Sequence, residues 1–393
     1  MSEKKQKENK REILEGSRAI ALTIKNISPA VISAYPITPQ THIVEDLAQL
    51  KADGEASYEY LRAESEFAAA SIVLGSSASG VRTYSATSSQ GLLLMAEVIH
   101  NIVGMRLPVV MTCANRAISA PINIWNDHSD VMSIRDAGFI QLFASNLQEA
   151  VNQHVLAYKI AETTKLPVMI NVDGFILTHS YEPVVIPSKE KIKKFLPKYK
   201  PENGTYLDPQ NPKTFGAFFS PANYMETRED LQKDLIKSIE LIKKEYPLMI
   251  KSLGFSDKDN GLFEYIGPKN PKIILVALGS VNGTILSAIR SDKELNKKVA
   301  LLKIKTYRPF PAKEITKIIN KNSFVAVIEK AINLGQTGPL YSDLVEALNS
   351  CDKKVMGIKN YIVGLGGKDV TEKIIKEIIK DLPNKNEKIK FYA

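Results

Sequence analysis

Between Arg11 and about Asp173, short apolar runs alternate with stretches whose apolar residues recur at helical spacing, and that alternation narrows the possible folds most. The strand-like runs are Ala30–Ala34, Ser57–Leu61, Val81–Ser85, Pro108–Thr112, Phe139–Phe143 and Pro167–Asn171. The helical stretches between them are Gly16–Asn26, Gln40–Leu50, Glu66–Ser76, Gln90–Ile102 and Leu147–Thr163. Such a rhythm predicts an α/β domain, a parallel sheet covered by helices on both faces. From about Gly174 to Lys258 the rhythm breaks into a Pro-, Lys-, Tyr- and Asn-rich stretch holding one strong helix pattern, Met225–Glu245. This part reads as a long arm and a connecting helix, suited to wrapping a neighbouring subunit. A second, smaller α/β unit follows. Its expected strands are Lys272–Leu278, Val299–Ile304, Ser323–Glu329 and Lys354–Ile358, with helices Ser280–Ser291, Ala312–Asn320, Pro339–Leu348 and Val370–Leu382. The boundaries read from the chain are a charged tail over 1–15, a parallel-sheet domain over 16–173, the arm over 174–258 and the second unit over 259–393.

Bulk composition sets limits on function. The chain has 393 residues, of which 44% are hydrophobic and 24% charged, enough for two or three proper cores. Two cysteines, Cys113 and Cys351, exclude a disulfide framework and any four-cysteine iron–sulfur cluster held by this chain alone. That usage points to a reducing, cytoplasmic setting. The net charge of +9 is spread over dispersed lysines, among them Lys189–Lys200 and Lys385, Lys388 and Lys390. They read as solvated surface, with an acidic protein partner as the alternative, because no nucleic-acid motif accompanies them. Residues Met1–Arg11 read as a frayed tail without the apolar segment of a secretory signal, and no apolar run is long enough for a membrane span.

Four features fall at expected strand ends in the first domain. In Ala34-Tyr35-Pro36-Ile37-Thr38-Pro39-Gln40, a strand ends, Thr38 takes the place of a helix N-cap and Pro39 the first helical position. Ile43, Val44, Leu47 and Leu50 continue the helix. A helix N-terminus beyond a strand's carboxyl end is where an open α/β sheet binds a carboxylate or phosphate. Glu66 in Glu64-Ser65-Glu66 opens the next helix, where the dipole favours an acid. Thr87-Ser88-Ser89-Gln90-Gly91 offers hydroxyls for capping or for a ligand. Arg116, after Pro108–Ala114, is placed either to grip a carboxylate in bidentate fashion or to form a structural ion pair. Asp127, His128 and Asp130 lack a second histidine at ligand spacing, so Ile122–Asp130 reads as a covering loop in which Ser129 or Asp130 caps the next helix, with no metal. His42, His100, His154 and His179 fall singly and receive no role. Gly279-Ser280-Val281-Asn282-Gly283 resembles a phosphate-cradling turn without a GxGxxG or Walker pattern.

Together these segments make the chain resemble the α subunit of the pyruvate:ferredoxin oxidoreductase family, the 2-oxoacid:ferredoxin oxidoreductases. The resembling segments are AYPITPQ (Ala34–Gln40), ESE (Glu64–Glu66), TYSATSSQGL (Thr83–Leu92), RLPVVM (Arg106–Met111), ANRAISAPINIWNDHSD (Ala114–Asp130), RDAGF (Arg135–Phe139), YRPFP (Tyr307–Pro311) and YIVGLGGKD (Tyr361–Asp369). The resemblance implies a thiamine-diphosphate-binding domain of the pyrimidine type and a smaller domain like the transketolase carboxyl-terminal one. It implies that Glu66 bonds N1′ of the aminopyrimidine, that Thr38 and Arg116 hold the substrate carboxylate, and that Tyr35, Pro36, Ser88 and Ser89 line the cofactor. A buried carboxylate sharing a proton with N1′ favours the imino tautomer, whose nitrogen takes the C2 proton of the cofactor.

What is missing matters as well. A GDG segment, which carries diphosphate and Mg2+ in thiamine enzymes, is absent; Asp173-Gly174-Phe175 lacks the first glycine. The resemblance therefore implies a β subunit holding the diphosphate and Mg2+, and a γ subunit and a ferredoxin-like δ subunit, with [4Fe-4S] clusters on the partners. The expected reaction is pyruvate plus CoA plus oxidised ferredoxin to acetyl-CoA, CO2 and reduced ferredoxin. The alternatives are a 2-oxoisovalerate (branched-chain) enzyme, a thiamine-dependent dehydrogenase or transferase component without clusters, and a scaffold subunit with a decayed site.

Overall fold

The structure, a computed structural model, describes residues 10–256, 259–384 and 388–392. Residues 1–9 of the expected tail, Lys258 at the arm's expected end and Lys385 lie outside the described residues.

The strands, in chain order, are β1 (Glu12–Glu15), β2 (Val31–Ala34), β3 (Glu59–Arg62), β4 (Thr83–Thr87), β5 (Val110–Asn115), β6 (Ile140–Phe143), β7 (Val168–Asp173) and β8 (Tyr181–Val184). They continue with β9 (Phe263–Ile266), β10 (Ile273–Ala277), β11 (Val299–Ile304), β12 (Thr306–Arg308), β13 (Phe324–Glu329), β14 (Gly357–Val363) and β15 (Ile389–Tyr392). The first sheet runs β3-β2-β4-β5-β7-β6-β12 and is parallel except at β12. Each expected strand of the first domain is present, shifted by a residue or two. β4, β5 and β7 are buried along their whole length, as strands covered on both faces must be.

Strands β8, β9, β12 and β15 were not expected from the sequence, and three elements before β5 depart from its reading. Glu12–Glu15, assigned to the charged tail, form β1 and pair antiparallel with Tyr181–Val184 of the arm. Only two apolar residues, Ile13 and Leu14, lie side by side between glutamates and none of the four is buried, so the strand shows no apolar run or alternation. Gln90–Ile102 is not one helix: Ser89–Leu94 and Ala96–Gly104 meet at Met95. The helix after β2 begins at Thr41, not at Pro39, because Ile37–Gln40 closes as a tight turn with the Gln40 N–H donating to the Ile37 carbonyl (2.8 Å). Thr38 is therefore an exposed turn residue and not a cap.

The arm is less detached than expected. Arg82 reaches Glu162 and the Pro197 carbonyl, and the Leu207 N–H donates to Ala78 (2.7 Å), so this part lies along its own chain. The connecting helix runs over Pro221–Leu253, beyond both expected ends, with Pro221 in its first turn and Gly254 closing it in the left-handed region. Its later turns bury Ile242, Tyr246, Met249 and Leu253.

The second sheet, β15-β14-β13-β10-β11-β9, is parallel except at β9. Alternation along β10 explains how it joins the molecule. Ile274 and Val276 enter the core shared with the first unit, whereas Leu275 and Ala277 face helices Val281–Arg290 and Glu372–Asp381. Ile274, Leu275 and Val276 each contribute roughly 1.5–3 kcal/mol by this burial, and the Ala277 methyl less. β12 carries the joint further, because this strand of the later part of the chain pairs antiparallel with β6. Among the described residues no helix is long and apolar enough to cross a membrane.

Candidate active site

The carboxyl ends of β2, β4, β5 and β7 lie along one edge of the first sheet. From β2 the chain leaves toward β3 on one side, and from β4 toward β5 on the other, so the connections after β2 and β4 part and leave a crevice. The turn after β2 is pinned beside it, since the Gln40 amide donates to the Ala86 carbonyl (2.6 Å) and its Oε1 accepts the Ile37 N–H (3.2 Å).

Glu66 begins the helix Glu66–Ala78, directly after Ser65, whose hydroxyl caps the Ala68 N–H (3.1 Å). Its side chain is 8% exposed, and it lies against the next crossover. A Cβ placed on Gly91 would fall 2.6 Å from Oε1 of Glu66 and 2.7 Å from Oγ1 of Thr87, so only glycine leaves this notch open. The Thr87 hydroxyl is buried and has no hydrogen-bond partner among the described residues. A buried carboxylate, an unpartnered hydroxyl and a wall without a side chain suit the edge of a flat heteroaromatic ring bearing a basic nitrogen.

Ser88 and Ser89 face inward. The Ser88 hydroxyl donates to the Ala114 carbonyl (2.7 Å) and the Ser89 hydroxyl to the Ala117 carbonyl (2.6 Å), tying the crossover to β5. Ser89 has a φ of +47°, a left-handed conformation that a side-chain-bearing residue keeps only when its surroundings impose it. Asp130 supplies much of that restraint. Its carboxylate accepts the N–H groups of Ser89 (3.1 Å), Arg116 (2.9 Å) and Val131 (2.7 Å), and the Asn115 amide (3.2 Å). Burial pushes Asp130 up to about 6, against the pull of those N–H groups. The sequence reading had Ser129 or Asp130 cap the next helix; His128 takes that position, and Asp130 instead joins the loops that carry Ser89 and Arg116.

Arg116 and Thr38, 78 residues apart in the chain, come together. Arg116 Nη1 donates to the Thr38 carbonyl (2.9 Å) and Nε to the Asn123 carbonyl (2.9 Å). Two of the five guanidinium N–H groups thus hold the side chain in place, and the rest have no hydrogen-bond partner among the described residues, which leaves them for an anion. Burial lowers the guanidinium from its ordinary value, and the Asp130 carboxylate works against that shift. Tyr35 and Pro36 follow β2 on the same edge, Tyr35 being 38% exposed. Phe67, Leu61 and Leu94 are also exposed apolar residues beside Glu66, its sheet edge and the Gly91 helix.

A cleft of about 570 Å3 lies where the two units meet, lined by Trp125, Phe175, Ser280, Lys330 and Lys368 among others. Glu66, Thr38 and Arg116 do not line it. Its floor is an internal salt-bridge cluster: Asp173 accepts from His128 (2.8 Å), Lys330 (3.0 Å) and the Ser280 N–H (3.1 Å) and hydroxyl. The turn at Gly279–Gly283 therefore already holds a carboxylate of its own chain. The glycines of YIVGLGGKD have a similar explanation, since a Cβ on Gly367 (φ +83°) would fall 2.2 Å from Cβ of Trp125. The hydroxyls of Thr87–Gly91 were read from sequence as capping or ligand groups, whereas the open notch at Gly91 and the bridging carboxylate of Asp130 were not. A glycine inside a helical stretch is the one sequence signal by which the notch at Gly91 could have been found.

Residues 23–246 match the family described as pyruvate flavodoxin/ferredoxin oxidoreductase, thiamine diphosphate-binding. Residues 271–375 match pyruvate:ferredoxin oxidoreductase core domain II. The chain belongs to the pyruvate:ferredoxin oxidoreductase family. It is accordingly an oxidoreductase α subunit of the 2-oxoacid:ferredoxin type. Pyruvate synthase subunit PorA of Methanosarcina barkeri is 43% identical over 376 residues, 94% of this chain and 92% of the relative. The subunit of that name from Thermotoga maritima is 39% identical over 376 residues, 94% of each chain. Ketoisovalerate oxidoreductase subunit VorA of Pyrococcus horikoshii is 37% identical over 384 residues, 95% of this chain and 93% of the relative. In fold the chain is similar to 2-oxoglutarate:ferredoxin oxidoreductase from Magnetococcus marinus, solved with 2-oxoglutarate, coenzyme A and succinyl-CoA bound. That similarity has a TM-score of 0.71 at 20% identity and covers 95% of this chain and 65% of the other.

Proposed function

We propose that this chain supplies the pyrimidine half of a thiamine diphosphate site and the carboxylate grip for pyruvate in an enzyme that forms acetyl-CoA, CO2 and reduced ferredoxin. The observation that carries the reading is the Glu66 carboxylate, buried in the Gly91 notch on the sheet edge where Arg116 meets Thr38. Thiamine diphosphate, when bound, supplies a carbanion equivalent and an electron sink for loss of CO2. Glu66 holds the proton at N1′ of the aminopyrimidine, and burial strengthens that hydrogen bond by excluding water. The Thr87 hydroxyl, otherwise unpartnered, gives the ring edge a second polar contact. Tyr35 and Pro36 form the wall after β2. Ser88 and Ser89, with hydroxyls engaged in their own chain, fix the crossover that carries the notch. Arg116 directs free N–H groups at the 2-oxoacid carboxylate, and the Thr38 hydroxyl adds a donor from the turn it holds.

No GDG segment or cysteine cluster is available in this sequence, so the diphosphate, Mg2+ and [4Fe-4S] clusters are assigned to partners: a β subunit, a γ subunit and a ferredoxin-like δ subunit. The exposed Tyr35, Leu61, Phe67 and Leu94 support a second chain closing over Glu66. The test is ferredoxin reduction by the co-purified complex across a panel of 2-oxoacids with CoA. Pyruvate is expected to give the highest kcat/KM. The ketoisovalerate relative makes 2-oxoisovalerate the informative competitor, and activity with it far above pyruvate would overturn the substrate assignment.

A further inference from the structure

Two histidines that fall singly in the sequence meet in space. His42 lies in the first turn of the helix Thr41–Ala52, and His179 in the loop between β7 and β8; their ring centroids are 4.5 Å apart. Glu15, the last residue of β1, joins them, its Oε1 lying 2.8 Å from His42 Nδ1. One ligand atom from each of the three residues can be chosen so that all lie within 4.8 Å of one another. We propose that Glu15, His42 and His179 form a binding site for a divalent first-row transition metal.

The chemistry of the set supports this. Two imidazoles and one carboxylate are the ligand types that zinc and its neighbours take with a fourth position left open to water. Bonds of about 2.0–2.1 Å to a tetrahedral ion place ligand atoms about 3.3 Å apart, so the Glu15–His42 contact opens slightly and the His179 nitrogen closes in. His179 is oriented for it. Its Nδ1 lies 2.7 Å from the Thr178 hydroxyl oxygen, which also accepts the Phe175 N–H (2.8 Å), and that oxygen has lone pairs for both. With Nδ1–H donating there, Nε2 carries the lone pair a metal needs, and Thr178 acts as the supporting partner typical of metal-bound histidines. Phe175 packs on the other side of His179, with ring centroids 4.8 Å apart.

The three ligands come from three chain segments: the edge of the β1–β8 pair, the head of the helix that follows the Thr38 turn, and the loop after β7. An ion there clamps all three. Both histidines and Glu15 are partly exposed, which gives an ion a route in. The test uses the full chain, stripped with a chelator and titrated with Zn2+ by calorimetry and with Co2+ by visible absorption. The expected result is one equivalent bound per chain, a raised melting temperature with Zn2+ and a Co2+ d–d band. Glu15→Gln, His42→Ala and His179→Ala should each weaken binding roughly tenfold or more and remove the band. Circular dichroism of each variant separates loss of the ligand from loss of the fold. Binding equally tight in all three folded variants, or no binding by the parent chain, would overturn the site.

Discussion

At the scale of single residues, the proposed site rests on one acid, one missing side chain and one cation. Glu66→Gln keeps the shape and the hydrogen-bonding reach but cannot share a proton with a ring nitrogen. It should lower kcat by roughly 10²–10⁴-fold, the usual value of a positioned proton-transfer group, with the complex intact by gel filtration. Unchanged turnover would favour the decayed-scaffold alternative. Gly91→Ala puts a methyl group within 2.6 Å of the same carboxylate oxygen and 2.7 Å of the Thr87 hydroxyl. Either the acid or the helix must move, so stability should fall by about 1–3 kcal/mol and kcat should fall with it. Turnover equal to the parent enzyme would show that the notch is not where the reacting ring lies. Arg116→Lys keeps the charge and loses the fork that spans the Thr38 and Asn123 carbonyls. Steady-state kinetics should then show KM for the 2-oxoacid rising at least tenfold, corresponding to about 1.4 kcal/mol or more, because a lysine cannot hold two carbonyls and a carboxylate together.

At the scale of elements, the parallel strands were legible because β2, β5, β6 and β7 are short and mostly apolar and the hydroxyl-rich β4 is rich in β-formers, each bounded by turn residues, a pattern that does not depend on distant parts of the chain. β1, β8 and β12 were not, since their pairing partners lie far away in sequence and their side chains are polar or mixed. The Thr38 cap failed for a related reason: Gln40 reaches across to Ala86, a contact that local spacing cannot show. In the site, Glu66 and Arg116 were visible from strand ends alone, whereas Asp130 acts through N–H groups that only the folded sheet brings together. His154 is another element-level device absent from any motif. Its Nδ1–H donates to the Ala150 carbonyl (2.6 Å), so Nε2 accepts from Thr112 (2.7 Å), whose oxygen in turn accepts from Tyr84 (2.7 Å), linking helix Leu147–Thr164 to β5 and β4. Burial lowers His154 to about 4. The folded state thus favours the neutral ring, and its contribution is full above the unfolded value of about 6.5 and is lost as pH falls from there toward 4. The amount at stake is about 3 kcal/mol. Urea unfolding of His154→Gln against the parent chain should show a gap that narrows from pH 7.5 to pH 4.5; a gap constant with pH would rule out a neutral His154 in the fold.

At the scale of the whole molecule, what joins the two units is a shared core together with buried charge clusters, one pairing Glu149 with Lys303 (2.5 Å) and Lys305 (3.3 Å) and another around Asp173. Ile274 and Val276 enter that core, and Arg308 of β12 reaches Asp136 (3.2 Å) and Asp343 (2.8 Å), so two of the family-like segments, RDAGF and YRPFP, touch each other. Asp173 sits at the centre of the charge cluster, with His128 from the covering loop and Lys330 and Ser280 from the second unit around it. Burial alone would raise its carboxyl, but Lys330 and then His128 hold it well below the usual carboxylate range. Such a pair adds little over a well-packed apolar replacement, whereas removing one partner leaves an uncompensated buried charge. Asp173→Asn should therefore destabilise the chain by about 3–5 kcal/mol in urea unfolding, because Lys330 keeps only Asn126 and Ser280 as polar partners. Lys330→Met should be costly as well, since Asp173 then relies on His128 and Ser280. The double variant removes both charges, so its loss should be well below the sum of the two single losses. A coupling energy near zero in that cycle would mean that the shared core, β12 and the Glu149 pairs align the second unit with the edge that carries Glu66 and Arg116 without help from the Asp173–Lys330 pair.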